Sequence, residues 1–203
     1  MDAIKVSDLF DLTHTRAARM LAACEYPWEA LSRIGETVLA IGQTLDLNAY
    51  DHPTEDVWIA KTATVAATAS ITGPCVIGEK TEVRPGAFIR GNVLVGDGAV
   101  VGNSCELKNC ILFDGVQTPH YNYVGDSILG YKAHMGAGAV TSNVKGDKKN
   151  VVVHGESDYE TGRKKFGAML GDFAEIGCNS VLNPGTIIGR DSQVYPLSSV
   201  RGV

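Results

Sequence analysis

The sequence predicts a mainly β protein wound as a parallel β-helix of hexapeptide repeats, and two observations carry that prediction. The first is periodic: an aliphatic residue fills every sixth position at Ile59, Val65, Ile71, Ile77, Val83, Ile89, Val95, Val101 and Leu107. A second run follows at Leu170, Ile176, Leu182, Ile188, Val194 and Val200. With 44% of the chain apolar, nine hits in one frame arise by chance roughly 6 times in 10,000. The second observation is that the fifth place of most hexads is small, as at Ala63, Ala69, Cys75, Thr81, Ala87, Ala99 and Cys105. No helix has period six, and a flat strand alternates with period two. One large and one small inward residue per hexad therefore describe a triangular coil of three hexads. Successive coils stack at roughly 4.8 Å, the ordinary strand spacing.

Residues 1–55 lack this pattern and are expected to form a helical segment. Ser7 reads as a cap followed by apolar positions at helical spacing through Leu21. Pro27 suits the first turn of a second helix reaching about Leu45. The pair is expected to cover the first coil, whose open strand edge would otherwise invite pairing with another chain. Residues 56–203 form the β-helix, with an insertion at 144–169 that is too long for a hexapeptide corner. Within the insertion, NVVV and the basic run Arg163-Lys164-Lys165 suggest a projecting hairpin arm.

The register stutters in the middle. After Leu107 it steps by five to Leu112, by six to Thr118 and Val124, by five to Leu129, then by six to Met135 and Thr141. Naming the prism faces A, B and C with Leu107 on A, Thr118 and Met135 open hexads on C. His120 and Ala137 are then third residues on C and lie one above the other. If the helix resumes on face B at Leu170, Cys178 and Pro196 join the same column. The four residues would floor a groove suited to an extended ligand such as a pantetheine arm.

Composition narrows the function classes. The net charge is −5, with 18 Lys and Arg against 23 Asp and Glu, which argues against a nucleic-acid groove. No run of eighteen apolar residues is present, and the N-terminus lacks the basic-plus-apolar design of a signal peptide. The five cysteines are odd in number and form no C-x-x-C. Cys75 and Cys105 occupy small inward positions of the repeat, so these two read as reduced packing residues of a cytoplasmic protein.

The run ELKNCILFDGVQTPHYNYVGDSILGYKAHMGAGAVTSN resembles the acetyltransferase half of the bifunctional N-acetylglucosamine-1-phosphate uridylyltransferase/glucosamine-1-phosphate acetyltransferase family. It is more similar still to the C-terminal β-helix domains of sugar-1-phosphate nucleotidylyltransferases, where TGRKKFGAMLGD also belongs. The resemblance covers about 57–203. It implies a left-handed winding, a homotrimer with sites between adjacent prisms, and acetyl transfer from acetyl-CoA to the amine of a hexosamine 1-phosphate, glucosamine 1-phosphate first. His120 matches the family's catalytic base. Tyr123 and Lys108 match groups that hold the sugar phosphate. Glu106 and Arg84 fall on further substrate positions, with Arg90 as the alternative to Arg84. Asn143 matches an asparagine near the acetyl group, and His134 stands where the family has a sugar-contacting asparagine. Ala137, Cys178 and Pro196 fall on positions lining the acetyl-CoA groove, although proline has no N–H to donate. Arg163 and Lys165 are candidates for the CoA phosphates. The Gly-rich phosphate loop of the nucleotidylyltransferase half is absent from this sequence, so that activity is not expected of it. A non-catalytic β-helix scaffold or regulatory subunit of a separate nucleotidylyltransferase is the alternative.

The chemistry of these residue types agrees. Acetylating an amine requires the nitrogen to lose a proton, and an imidazole suits that role at neutral pH. A backbone N–H such as that of Ala137 can stabilise the thioester oxygen as it gains charge. Lysine and arginine suit a phosphate. Zinc is not expected. It takes three or four protein ligands, and only His120 and His134 of the five histidines lie in the β-helix proper.

Overall fold

The computed structural model describes residues 3–203. The hexads form a left-handed parallel β-helix whose strands stack on three faces. The register agrees with the sequence reading through both stutters. On face A, Leu107 pairs with Ile89 and Val124, and Thr141 with Leu182. On face B, Leu112 pairs with Leu129, and Leu129 with Leu170. On face C, Thr118 pairs with Val101, and Met135 with Ile176. The inward aliphatics Ile77, Val83, Ile89, Val95, Val101 and Leu107 are buried.

Each five-residue step is a shortened corner. The strands Glu106–Leu112 and Tyr123–Leu129 run from face A onto face B without interruption. A single left-handed residue turns each of them, Asn109 at φ 48° and Asp126 at φ 49°. Asn and Asp tolerate this region better than other side chains, which is why a one-residue corner is possible here.

The N-terminal segment covers the β-helix along its flank rather than over the first coil. The outward residues of face B are themselves apolar and buried: Val76, Leu94, Ile111, Ile128, Met169 and Ile187. A sheet face that is apolar on both sides must be covered, and helices α1 (Val6–Leu9), α2 (Ala18–Leu21) and α3 (Ile34–Gly42) belong to the segment that covers it. The edge of the first coil is taken instead by the strand Tyr50–Thr54, antiparallel to Val57–Ala60.

The helix expected from Ser7 to Leu21 is broken into α1, a 3₁₀ turn at Leu12–His14 and α2. The break is tertiary in origin: Asp11 N–H donates to the buried Asp172 carboxylate at 2.7 Å, and Asp172 N–H to Leu9 O at 3.0 Å. Pro27 does open a helical element, but Pro27–Ser32 is 3₁₀ and α3 begins only at Ile34.

The insertion forms an antiparallel hairpin, Val152–His154 with Asp158–Glu160. It folds back on the protein instead of projecting. Val151, Val153 and Phe166 are fully buried, and Val203 N–H donates to His154 O at 3.0 Å. Face A leads into the insertion, and face B resumes at Ala168–Leu170.

Candidate active site

The corner between faces C and A carries the third-residue column. Gly138 N–H donates to His120 O (3.0 Å), Asn179 N–H to Ala137 O (2.8 Å) and Leu197 N–H to Cys178 O (2.9 Å). His120, Ala137, Cys178 and Pro196 are thus stacked coil on coil. The His120 side chain is exposed, and its ring makes no hydrogen bond among the described residues. Its backbone is held from inside the corner. Buried Asn122 accepts from His120 N–H (3.2 Å) and donates to Gly136 O (2.8 Å) and Ala139 O (3.0 Å). Ala137 N–H likewise has no partner among the described residues, so a donor is left at the groove floor. Below it, His134, Cys178, Tyr195 and Pro196 line a hollow of about 290 Å³.

Face A carries a polar cluster centred on Asp126, which is only 6% exposed at its side chain. Its carboxylate accepts from Asn143 Nδ2 (2.5 Å), Asn109 Nδ2 (2.9 Å) and Lys108 Nζ (3.3 Å). Asn143 Nδ2 also reaches the Tyr123 hydroxyl at 3.2 Å. Burial, with the Asp126 and Glu106 charges nearby, pushes the Tyr123 phenol above its ordinary range. It therefore keeps its proton as a donor at neutral pH. Gly125 makes room for that ring, since a Cβ there would meet the Tyr123 hydroxyl.

Register separates the two arginines. Arg90 N–H donates to Leu107 O, so Arg90 stands one coil from Lys108 in the same column. Its guanidinium pairs with Glu106 at 2.6 Å. Arg84 lies on face C, paired with Glu82 at 3.0 Å, and is not brought to this cluster. His134 is also on face C, where its Nδ1 meets Glu175 at 2.8 Å; it joins the groove hollow, not the Lys108–Tyr123 group. Arg163 is turned toward the N-terminal segment, donating to Ser32 Oγ (2.8 Å) and Glu29 O (3.2 Å). Lys165 is exposed, two residues before the insertion rejoins the prism at Gly167.

Asp126 and Asn122 organise both halves of the site, yet neither was singled out from the sequence. Asp126 could have been found. It is the acidic residue of Y-x-G-D and falls in a five-residue step, where one residue must make the whole corner.

The fold and site define a hexapeptide-repeat β-helix protein with a histidine corner beside a polar, cation-bearing face. Residues 71–157 match the family described as the GMPPB C-terminal domain. The chain is 30% identical over 173 residues to the bifunctional protein GlmU of Methanococcus aeolicus, covering 76% of this chain and 42% of that protein. It is 32% identical over 113 residues to a bifunctional sugar-1-phosphate nucleotidylyltransferase/acetyltransferase of Sulfurisphaera tokodaii, covering 55% and 28%. A hexapeptide transferase family protein from Anaplasma phagocytophilum shares the fold, with a TM-score of 0.53 at 18% identity, over 68% of this chain and 72% of that one. The body of the chain is similar to the C-terminal β-helix domains of sugar-1-phosphate nucleotidylyltransferase/acetyltransferases. It spans less than half the length of the two curated relatives.

Proposed function

We propose that this chain transfers an acetyl group from acetyl-CoA to the amine of a hexosamine 1-phosphate, glucosamine 1-phosphate being the first choice. The observation that carries the reading is one juxtaposition. Exposed His120 heads a backbone column with an unspent Ala137 N–H, and Tyr123 brings the Lys108–Asn143 cluster to the next face of the same coil. Acetyl-CoA supplies the acetyl group as a thioester. The groove floored by Ala137, Cys178 and Pro196 fits an extended arm, with fewer donors than usual because Pro196 has none. His120 takes the proton lost by the attacking amine as the C–N bond forms, and the C–S bond breaks to release the CoA thiolate, which takes that proton back from His120 and leaves as the free thiol. Ala137 N–H faces the oxygen that gains charge. Lys108 and Arg90 attract the phosphate, and the protonated Tyr123 donates to the sugar or its phosphate.

The assembly we propose is a homotrimer. Tyr121, Tyr195 and Leu197 lie at or beside the His120 corner and are 64%, 83% and 80% exposed. Such an apolar strip favours a neighbouring prism. Light scattering that returned a monomer at micromolar concentration would remove the shared-site arrangement.

Thiol release from acetyl-CoA, followed with glucosamine 1-phosphate and galactosamine 1-phosphate and with the unphosphorylated amines as controls, tests the activity. Equal rates with and without the phosphate would dismiss the role of Lys108 and Arg90. No thiol release with any amino sugar, together with no acetyl-CoA binding, would favour the scaffold reading, which the missing N–H of Pro196 supports.

A further inference from the structure

The corner between faces B and C carries a second hollow, of about 520 Å³, which the acetyl-transfer reading leaves unused. One corner column runs through it. Gly98 N–H donates to Glu79 O, Gly115 N–H to Asp97 O, Lys132 N–H to Asp114 O and Phe173 N–H to Tyr131 O. These corner residues are all left-handed, with φ 63°, 69°, 55° and 61° in that order. The two glycines notch the corner, and space is open above Gly98.

The side chains around the notch are chemically matched. Phe173 is 41% exposed although a phenylalanine is costly in the left-handed region. Its ring is braced edge-on by Tyr131 (5.4 Å, 79°), which in turn stacks on His14 (3.6 Å, 7°). Lys132 supplies a cation on the same wall, and Gln117 an amide. His134 and Glu175 divide this hollow from the groove at Cys178 and Pro196. Because the Glu175 carboxylate can only accept, His134 Nδ1 carries the proton toward it at 2.8 Å. Nε2 of the neutral ring is then an acceptor.

We propose that this hollow binds a nucleotide whose base carries an exocyclic amine, adenine or cytosine. The base stacks on Phe173, its amine donates to His134 Nε2, and Lys132 meets the phosphate. The volume falls in the range of small-ligand pockets. The proposal does not rest on the acetyl-transfer reading. The same chemistry could be offered by a free nucleotide or by the adenosine end of a coenzyme A thioester.

Calorimetric titration of the full chain with AMP, UMP, adenosine and inorganic phosphate tests it. AMP is expected to bind more tightly than the other three. Phe173→Asn, which keeps a residue suited to the left-handed corner, is expected to weaken AMP by about tenfold or more, as loss of one stacking partner does. His134→Gln should weaken AMP with an unchanged melting temperature. AMP binding no tighter than inorganic phosphate, or unmoved by both variants, would overturn the proposal. Acetyl-CoA that displaces AMP and loses affinity in the same variants would identify the occupant as the coenzyme's nucleotide. Simultaneous binding of both would identify a free nucleotide.

Discussion

The regular coils from Val57 to Cys105 and the shortened coils from Glu106 to Leu129 share one hexad rule but bury different chemistry. In the regular coils the large inward places hold Ile77, Val83, Ile89, Val95 and Val101. In and just after the shortened coils they also hold Thr118 and Thr141, the small place holds Asn122, and the corner holds Asp126, all buried. A one-residue corner takes backbone groups out of the ordinary ladder, and side chains must meet them. Gly125 N–H donates to Thr141 Oγ1 at 3.0 Å, and its carbonyl accepts from Ser127 Oγ at 2.8 Å. The same departure from period that demands buried polar groups also collects Lys108, Tyr123 and Asn143 around one carboxylate. Site and stutter coincide because the shortened corners bring an amide and a carboxylate, Asn122 and Asp126, into places where the regular coils bury nothing more polar than a hydroxyl, as at Thr81.

The sharpest break of this comparison is His120→Ala. If the corner serves chemistry, turnover should fall by about 10²–10⁴-fold with melting temperature nearly unchanged. A loss confined to stability would make His120 structural, and wild-type turnover would reject the role. Next comes Asp126→Ala, which leaves Lys108 without its partner and takes one acceptor from each of two asparagine amides, which keep Leu31 O and the Tyr123 hydroxyl. We expect a cost of about 1.5–3 kcal/mol by chemical denaturation, the scale of hydrogen bonds to a charged group, against about 0.5–1.5 kcal/mol for Ile89→Val in the regular coils. Equal costs would erase the distinction between the two regions.

Arg90→Ala should raise the KM for the sugar phosphate by roughly tenfold, the scale of one charged hydrogen bond. Arg84→Ala, on the other face, should leave KM within about twofold, because an exposed pair such as Arg84–Glu82 contributes about 0–1 kcal/mol. The opposite ranking would return the phosphate to Arg84.

A separate effect is expected on pH dependence. Burial pushes the Cys75 and Cys110 thiols far above their ordinary value, and Cys105 also upward. Unfolded thiols lose their protons near pH 8.5, so above that pH unfolding releases protons that the folded state retains. Stability from these groups is full below about pH 8.5 and falls as pH rises toward the folded values. Melting temperatures between pH 7 and 10 should decline, and Cys75→Ala with Cys110→Ala should flatten the decline. A decline unchanged in that double variant would place its origin elsewhere.

Period and residue size are local properties, and they determined the coil, its three faces and the register across both five-residue steps. The same pattern stacked His120 over Ala137 and carried the column on to Cys178 and Pro196. The covering of face B was not read from the sequence, although the outward residues Val76, Leu94, Ile111, Ile128, Met169 and Ile187 are apolar in each coil and mark a face that must be covered. Other features depended on partners far away in the chain. The breaks in the N-terminal helix follow from Asp172, 161 positions from Asp11. Arg163 turned to Ser32 across 131 positions, and Arg90 joined the column of Lys108 while Arg84 lay on another face. A hexad tells which way a side chain leaves the backbone. What a charged or polar group meets there depends on which distant segment is folded against it, and only the tertiary structure decides that.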